Sequence, residues 1–577
     1  MKLCSEWVAV ASVLALLVPV VSSCTSTEGS DSGNEGGASG SASGSAGVAG
    51  SGSGTGGAAT GGSPTGGTAQ GGSAAGGSAT GGSATGGTGA GGSATGGSPT
   101  GGATMGGAAG SAGEGAGSGS GGAGMGGSGP SVDDGDTYVS NVSVTVHPDV
   151  RTILVVTWTQ AMAADQTWLE FTFESGSVLT SHAKPGATGA HRDVVLGVPG
   201  QTAVTLRVVS AAGGAQHKTR DYTGTTGAVP SGMPVPTVVS YDATIASPER
   251  YLFGAVEDST GGGDVDYYRS PSWLFAMDRR GRIVWYYTDL AVDETFGFVR
   301  VARDGEYIVS ERRPFGTGGQ RGVVKMTLDR AYLEQISLTG LSDCIDVTDD
   351  GSVLYDVSGV LTERTRAGQT RTIWSCRTAM GTQYNCYTNT VNWNKATDTI
   401  FMSFPEPRTI VEINRASGML VAQYGAGSGA YTFAAPLSMP PTAWSCGFQH
   451  FPNLNAAGNL MLSSHMPGYE ATANPVANQH AFLEFSIDRT NRRLTEVWRY
   501  TDGPEWAHAK GMAIRLANGN TLVNYGTGGT IREITRDKRT AFHVKFDTPG
   551  ANDFYNKMIG NTFFVADLYA LNGGGPP

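Results

Sequence analysis

Charge is scarce in this chain. Asp, Glu, Lys and Arg make up 15% of its 577 residues, against about a quarter in an average soluble domain. Basic residues are the minority: 38 Lys and Arg against 49 Asp and Glu, a formal net charge of −11. No dense basic patch interrupts that balance, which argues against nucleic acid or anionic lipid as an electrostatic partner. Cysteine is rare, six in all, and no CxxC pair occurs, so the short zinc motifs are absent. Long apolar runs are rarer still. The run at residues 7–21 is too short for a comfortable transmembrane helix, and no later stretch is long enough. Glycine is the exception to this thrift: 89 residues, about half of them crowded before Pro130.

What is present begins with an export signal. In "MKLCSEWVAVASVLALLVPVVSSC" a lysine precedes the apolar run and small residues follow it, up to Cys24. "VSSC" matches a bacterial lipobox, in which residues 1–23 are removed and Cys24 carries lipid; an ordinary signal peptide with an incidental cysteine is the alternative. Thr25 is not the aspartate that retains lipoproteins at the inner membrane, so the expected location is the outer membrane or cell surface, with the lipid as the only membrane contact. Residues 24–135 repeat phrases such as "GGSATGG" and "GGSPTGG". They have almost no apolar side chains to offset ordering entropy and read as a disordered, flexible tether.

Two all-β regions follow. Residues 136–230 carry the alternating runs "YVSNVSVTVHP", "TILVVTWTQ", "TWLEFTFES", "HRDVVLGV" and "TAVTLRVVS", the spacing of a small immunoglobulin- or fibronectin-like sandwich. Residues 231–577 repeat a unit of strand, Gly turn, strand and two further strands with a period of about 40–45 residues, the mark of a β-propeller. The unit recurs six times. Its clearest pairs are "CIDVTDDGSVLYDVSG" with "LTERTRAGQTRTIWS", and "NTVNWNKATDTIFMSF" with "TIVEINRASGMLVAQYG". The last strand, near "NTFFVADLYAL", is expected to complete a blade with N-terminal material and close the ring. An exported domain permits disulfides. Cys344, Cys376, Cys386 and Cys446 allow three full pairings, of which Cys376–Cys386 makes the simplest local loop.

The phrases "NTVNWNKATDTIFMSF…TIVEINRASG", "FQHFPNLNAAGNLML" and "LEFSIDRTNRRLTEVWRY" resemble the bacterial arylsulfate sulfotransferases, over about residues 137–577. The resemblance implies a sandwich ahead of a six-bladed propeller. It also implies sulfuryl transfer from a phenolic sulfate ester to a phenol, with no nucleotide cofactor, through a transiently sulfurylated channel histidine; that no metal is expected follows instead from the lack of any short metal motif among the residues. "YTNTV" set against the family's H-x-N-S-V places Tyr387 at the nucleophile position, and the family arginine falls at Pro405, with Arg408 three residues on. His450, in "FQHFP", matches another active-site histidine of the family.

Tyr387 changes the expected chemistry. A phenol with a pKa of about 10 yields little phenolate at neutral pH, and its sulfate ester is stable, whereas a neutral imidazole is a competent relay. The expectation is therefore an altered or degenerate transferase, with His450 as relay and Arg408, Arg312 or Arg313 as charge stabilisers. Trp444 and Phe448 would offer aromatic surface to a phenolic ring, and His508 a further imidazole near the mouth. Each has a bland counterpart: a strand-end hydrogen bond for His450, a solvated rim for the arginines, blade packing for the aromatics, structural roles for His465 and His508. Asp343 and Asp346 offer paired carboxylates for acid–base work, or turn caps. Two rival readings complete the set: a non-catalytic propeller that holds a ligand or partner at the cell surface, and a lyase or hydrolase built on His450 with carboxylates.

Overall fold

The computed structural model describes residues 134–573, apart from 175, 258–271, 289–293, 296–298, 302–306, 315–320, 343, 405–407, 426–428, 435–448, 466–479, 502–509 and 547–556. The side chains of 294, 295, 299–301, 312–314 and 465 are likewise outside the description. Cys24 and residues 1–133 fall outside it.

The sandwich forms from the five alternating runs. Val139–Val146, Leu154–Gln160 and Gly189–Val195 make one antiparallel sheet in that order. Ala164–Phe173 and Ala203–Ala212 make the other, flanked by Leu179–Thr180, Lys184–Gly186, Ala215–Lys218 and Tyr222–Thr225. The four flanking strands are two to four residues long, too short to show a period in the sequence. Alternation in the long strands buries Val156, Trp158, Leu169 and Phe171 between the sheets.

Six further sheets are the blades of a propeller. From inside out, blade four is Thr390–Asn394, Thr399–Phe404, Thr409–Asn414 and Leu420–Gly425. Blades two, three, five and six begin with the innermost strands Val299–Val301, Ile345–Val347, His450–Leu454 and Met512–Arg515. Blade one takes its innermost strand, Met558–Val565, from the end of the chain, where it pairs with Tyr251–Glu257. The innermost strands touch in order from blade two to blade six, and Met558–Val565 touches both blade six and blade two. The ring is closed. A second closure lies at the rim, where Thr237–Tyr241 pairs with Thr540–Lys545 as the outermost strand of blade six. Gly351 (φ 76°) and Gly519 (φ 88°) make the inner hairpin turns of blades three and six, where positive φ favours glycine.

Middle strands are buried on both faces, as in Thr399–Phe404, which is why they read as continuous apolar runs. Outer strands keep one wet face, as in Arg493–Tyr500.

Two sets of polar contacts register blades three, four, five and six each on the next. Near the axis, the Asp346 carboxylate accepts the Trp393 amide (2.6 Å), Asn392 donates to the Pro452 carbonyl (2.9 Å), Asn453 to the Ala513 carbonyl (3.0 Å), and Asn524 to the Gly560 carbonyl (2.6 Å). Asp346 therefore holds backbone amides.

Further out, a buried glutamate on the third strand of one blade meets an arginine from the turn of the next. The pairs are Glu363 with Arg415, Glu412 with Arg489 (2.9 Å), Glu484 with Arg536 (3.1 Å) and Glu533 with Arg279 (3.1 Å). Burial would raise the Glu484 carboxyl, but hydrogen bonds from Asn459 and Asn455 and the charge of Arg515 hold it below the usual range. Pairing is what makes such burial tolerable.

Candidate functional site

Antiparallel order puts the start of each innermost strand and the end of the second strand at the same end of the blade. Tyr387 and His450 thus share one end of the ring, on neighbouring blades. Both are half-buried.

A chain of hydrogen bonds joins their backbones. The Thr388 hydroxyl donates to the Ser403 carbonyl (2.8 Å). The Ser403 hydroxyl donates to the Gln449 carbonyl (2.7 Å). The Phe451 amide donates to the Thr390 hydroxyl (3.0 Å). Blade four therefore fixes the backbone on both sides of His450. The fixing is not free of strain. Phe451 has φ 54°, costly for a bulky side chain, and pairing with the second strand shifts register between His450 and Asn453. This bulge resets how His450 meets its neighbours.

Tyr387 leaves a short disulfide loop. Cys376 and Cys386 are bonded, and Cys376 opens a one-turn helix, Cys376–Met380, capped by the Ser375 hydroxyl. Cys344 is a buried thiol whose sulfur lies 3.9 Å from the Thr388 carbonyl. Cys446 lies outside the described residues.

Sequence reasoning missed His480. It opens the third strand of blade five in "HAFLEF" and is fully buried. Its ring lies 4.8 Å from that of Phe482 and 5.6 Å from that of Tyr525. Burial, then the nearby charge of His450, pushes its pKa down to about 3, so it is neutral at any ordinary pH. A histidine heading an apolar run carries no sequence signal beyond being polar at a strand end.

The other candidates divide. Arg408 is exposed, with φ 64°, just ahead of Thr409–Asn414. Arg312 and Arg313 lie in the strand Ile308–Pro314 of blade two, with their side chains outside the description. Trp444, Phe448, His508, Pro405 and Asp343 also fall outside the described residues. His465 pairs its backbone with His480. Among the described residues no group of three or more His, Cys, Asp and Glu side chains is placed to hold a metal ion, and no helix is long and apolar enough to cross a membrane.

No protein-family model matches this chain, and no curated protein matches it. Solved structures do. A virginiamycin B lyase from Staphylococcus aureus is 11% identical over 43% of this chain and 69% of its own, with a TM-score of 0.28. A streptogramin B lyase is 12% identical over 53% and 87%, at 0.31. Hsv2 from Kluyveromyces lactis is 10% identical over 64% and 95%, at 0.28. At these scores the likenesses carry no argument about chemistry. The propeller rests on the strand pairing and ring closure described above.

Proposed function

We propose that the end of the channel between blades four and five is a divergent aryl sulfate site, in which His450 relays the sulfuryl group. The observation that carries this reading is the bulged, strained start of blade five, where hydrogen bonds from blade four lock the backbone around His450. The imidazole lone pair attacks sulfur; an S–N bond forms, the aryl S–O bond breaks, and phenolate leaves. A phenol acceptor then attacks the same sulfur as the S–N bond breaks, which restores neutral His450, and the acceptor's proton passes through solvent to the departed phenolate. The Tyr387 hydroxyl donates a hydrogen bond to the departing oxygen. The substrates are a small aromatic sulfate ester and a phenol, with no nucleotide cofactor. The chain acts at the outer membrane or cell surface, held by lipid on Cys24.

This site lacks the family arginine: Pro405 stands at its position, and Arg408 is exposed. Loss of one charge-stabilising donor commonly costs about 10²–10³-fold in rate, so turnover should be slow.

The test offers the purified protein an activated aryl sulfate and a phenol. His450→Ala should abolish turnover, and Tyr387→Phe should reduce it about tenfold or more without ending it. Turnover that survives His450→Ala overturns the relay. If the natural protein binds the ester but never turns it over, the propeller is a ligand-binding module instead.

A further inference from the structure

The ring of glutamate–arginine pairs is interrupted at blade two. The place that glutamate fills on blades three to six is Ala276 on blade one and Lys325 on blade two. Arg330, the turn arginine of blade two, therefore faces no carboxylate at that place on blade one. It pairs instead with Asp149 of the sandwich (3.2 Å) and lies 5.3 Å from the Tyr287 ring centre. Its neighbour Asp329, itself buried, takes Arg192 of the sandwich at 2.6 Å. The sandwich thus supplies contacts to blade two where the interblade pairing stops.

A histidine sits at the centre of that junction. His147 is 6% exposed. Its Nδ1 accepts the amides of Asp149 (3.2 Å) and Val150 (3.1 Å). Its Nε2 lies 3.0 Å from the carbonyl oxygen of Asp329. A carbonyl only accepts, so Nε2 carries the hydrogen; Nδ1 receives two N–H groups, so it is bare. Only the neutral ring satisfies all three contacts. Protonation would set an N–H against two N–H donors.

We propose that His147 is a pH-sensitive latch, which holds the sandwich to blade two while neutral and releases it when Nδ1 is protonated. The charged groups facing it are Asp149 on its own turn, Arg192 on the strand Gly189–Val195, and Asp329 with Arg330 on the turn of blade two. Burial has the largest effect and lowers the pKa from 6.5; contact with Asp329 and the charge of Asp149 oppose it, and Arg192 adds to it. The sign follows. The unfolded chain takes up the proton near pH 6.5, the folded chain only below that. The latch is at full strength above pH 6.5 and weakens as pH falls from there through the folded value. The proposal does not depend on sulfuryl transfer.

Hydrogen exchange of the full chain at about pH 7.5 and pH 5.0, corrected for intrinsic exchange rates, reads the latch directly. Amides of the turn 327–332 and of Leu333–Ser337 should exchange several-fold faster at the lower pH, while Thr409–Asn414 of blade four should not change. His147→Gln cannot take up a proton and should remove that difference. It leaves His182 with Asp567 and His217 with Asp134, so those pairs cannot mimic the result. Equal responses of blades two and four overturn the proposal, and the natural chain alone decides this should the variant fail to fold. A pH difference that persists in a folded His147→Gln variant overturns it as well.

Discussion

Gly511 occupies a place with no room for a side chain. A Cβ there would stand 2.8 Å from the Ser463 hydroxyl oxygen and 3.0 Å from His480 Nε2, on a backbone at φ 115°. Blade six can therefore approach the buried imidazole of blade five only through a glycine. Gly511→Ala should cost about 1–3 kcal/mol, read as a lowered midpoint in urea with an unchanged slope; an unchanged midpoint would mean that His480 yields easily. Legibility differs among single residues here. Tyr387 and His450 stood out only through the resemblance, which sets "YTNTV" and "FQHFP" against the family's motifs; residue type and periodicity alone did not single them out. The glutamates of "LTER", "TIVEIN", "LEFS" and "REIT" were just as visible in the sequence. Their meaning was not, because each partner arginine belongs to the next blade, between 52 and 254 residues away, and pairing at that range depends on ring geometry.

Between residues and the ring stand the elements, and the loop closed by Cys376–Cys386 is the most testable of them. Sequence spacing made it the simplest of the possible pairings; the helix Cys376–Met380 inside it was not legible, since five residues show no helical period. Closing a loop of this length limits the unfolded chain by about 3 kcal/mol in the chain-entropy model. Replacing both cysteines by Ala should lower unfolding free energy by about that much, measured by denaturant titration of the oxidised natural chain against the variant. A loss below about 1 kcal/mol would show that the loop is held mainly by its other contacts. These include the Cys376 amide bonded to the Gly359 carbonyl (3.0 Å). The strands themselves were legible wherever one face is wet or a middle strand is apolar throughout. The bulge at Phe451 was not, because a register shift is set by what blade four offers, the Thr390 hydroxyl to the Phe451 amide and the Ser403 hydroxyl to the Gln449 carbonyl, rather than by local propensity.

At the scale of the whole molecule, the ring is held shut twice, by Met558–Val565 in blade one and by Thr237–Tyr241 in blade six, so segments distant in sequence finish the same closed object. The sandwich is tied to that object by the Tyr569 hydroxyl, which donates to the Val194 carbonyl (2.9 Å) and accepts the Leu196 amide (3.1 Å). The start of the cooperative unit can be placed to within a few residues by packing alone. Gly135 is buried, and a Cβ on it would lie 2.3 Å from the Lys218 carbonyl carbon. Asp134 pairs with His217 at 2.7 Å, and Tyr138 stacks on the same imidazole at 4.3 Å. The composition of residues 24–133 offers almost nothing apolar to bury. A chain beginning at Ser131 should therefore unfold at the same temperature as one beginning at Cys24. A chain beginning at Ser140 loses the Asp134–Thr137 turn and the Tyr138 stack, and should unfold measurably lower, since about 1 kcal/mol is worth about 2–4 °C in a domain of about 150–250 residues and less in a larger one. A large drop already at Ser131 would mean that the Gly-rich segment packs on the folded domains and is part of the structure rather than its tether.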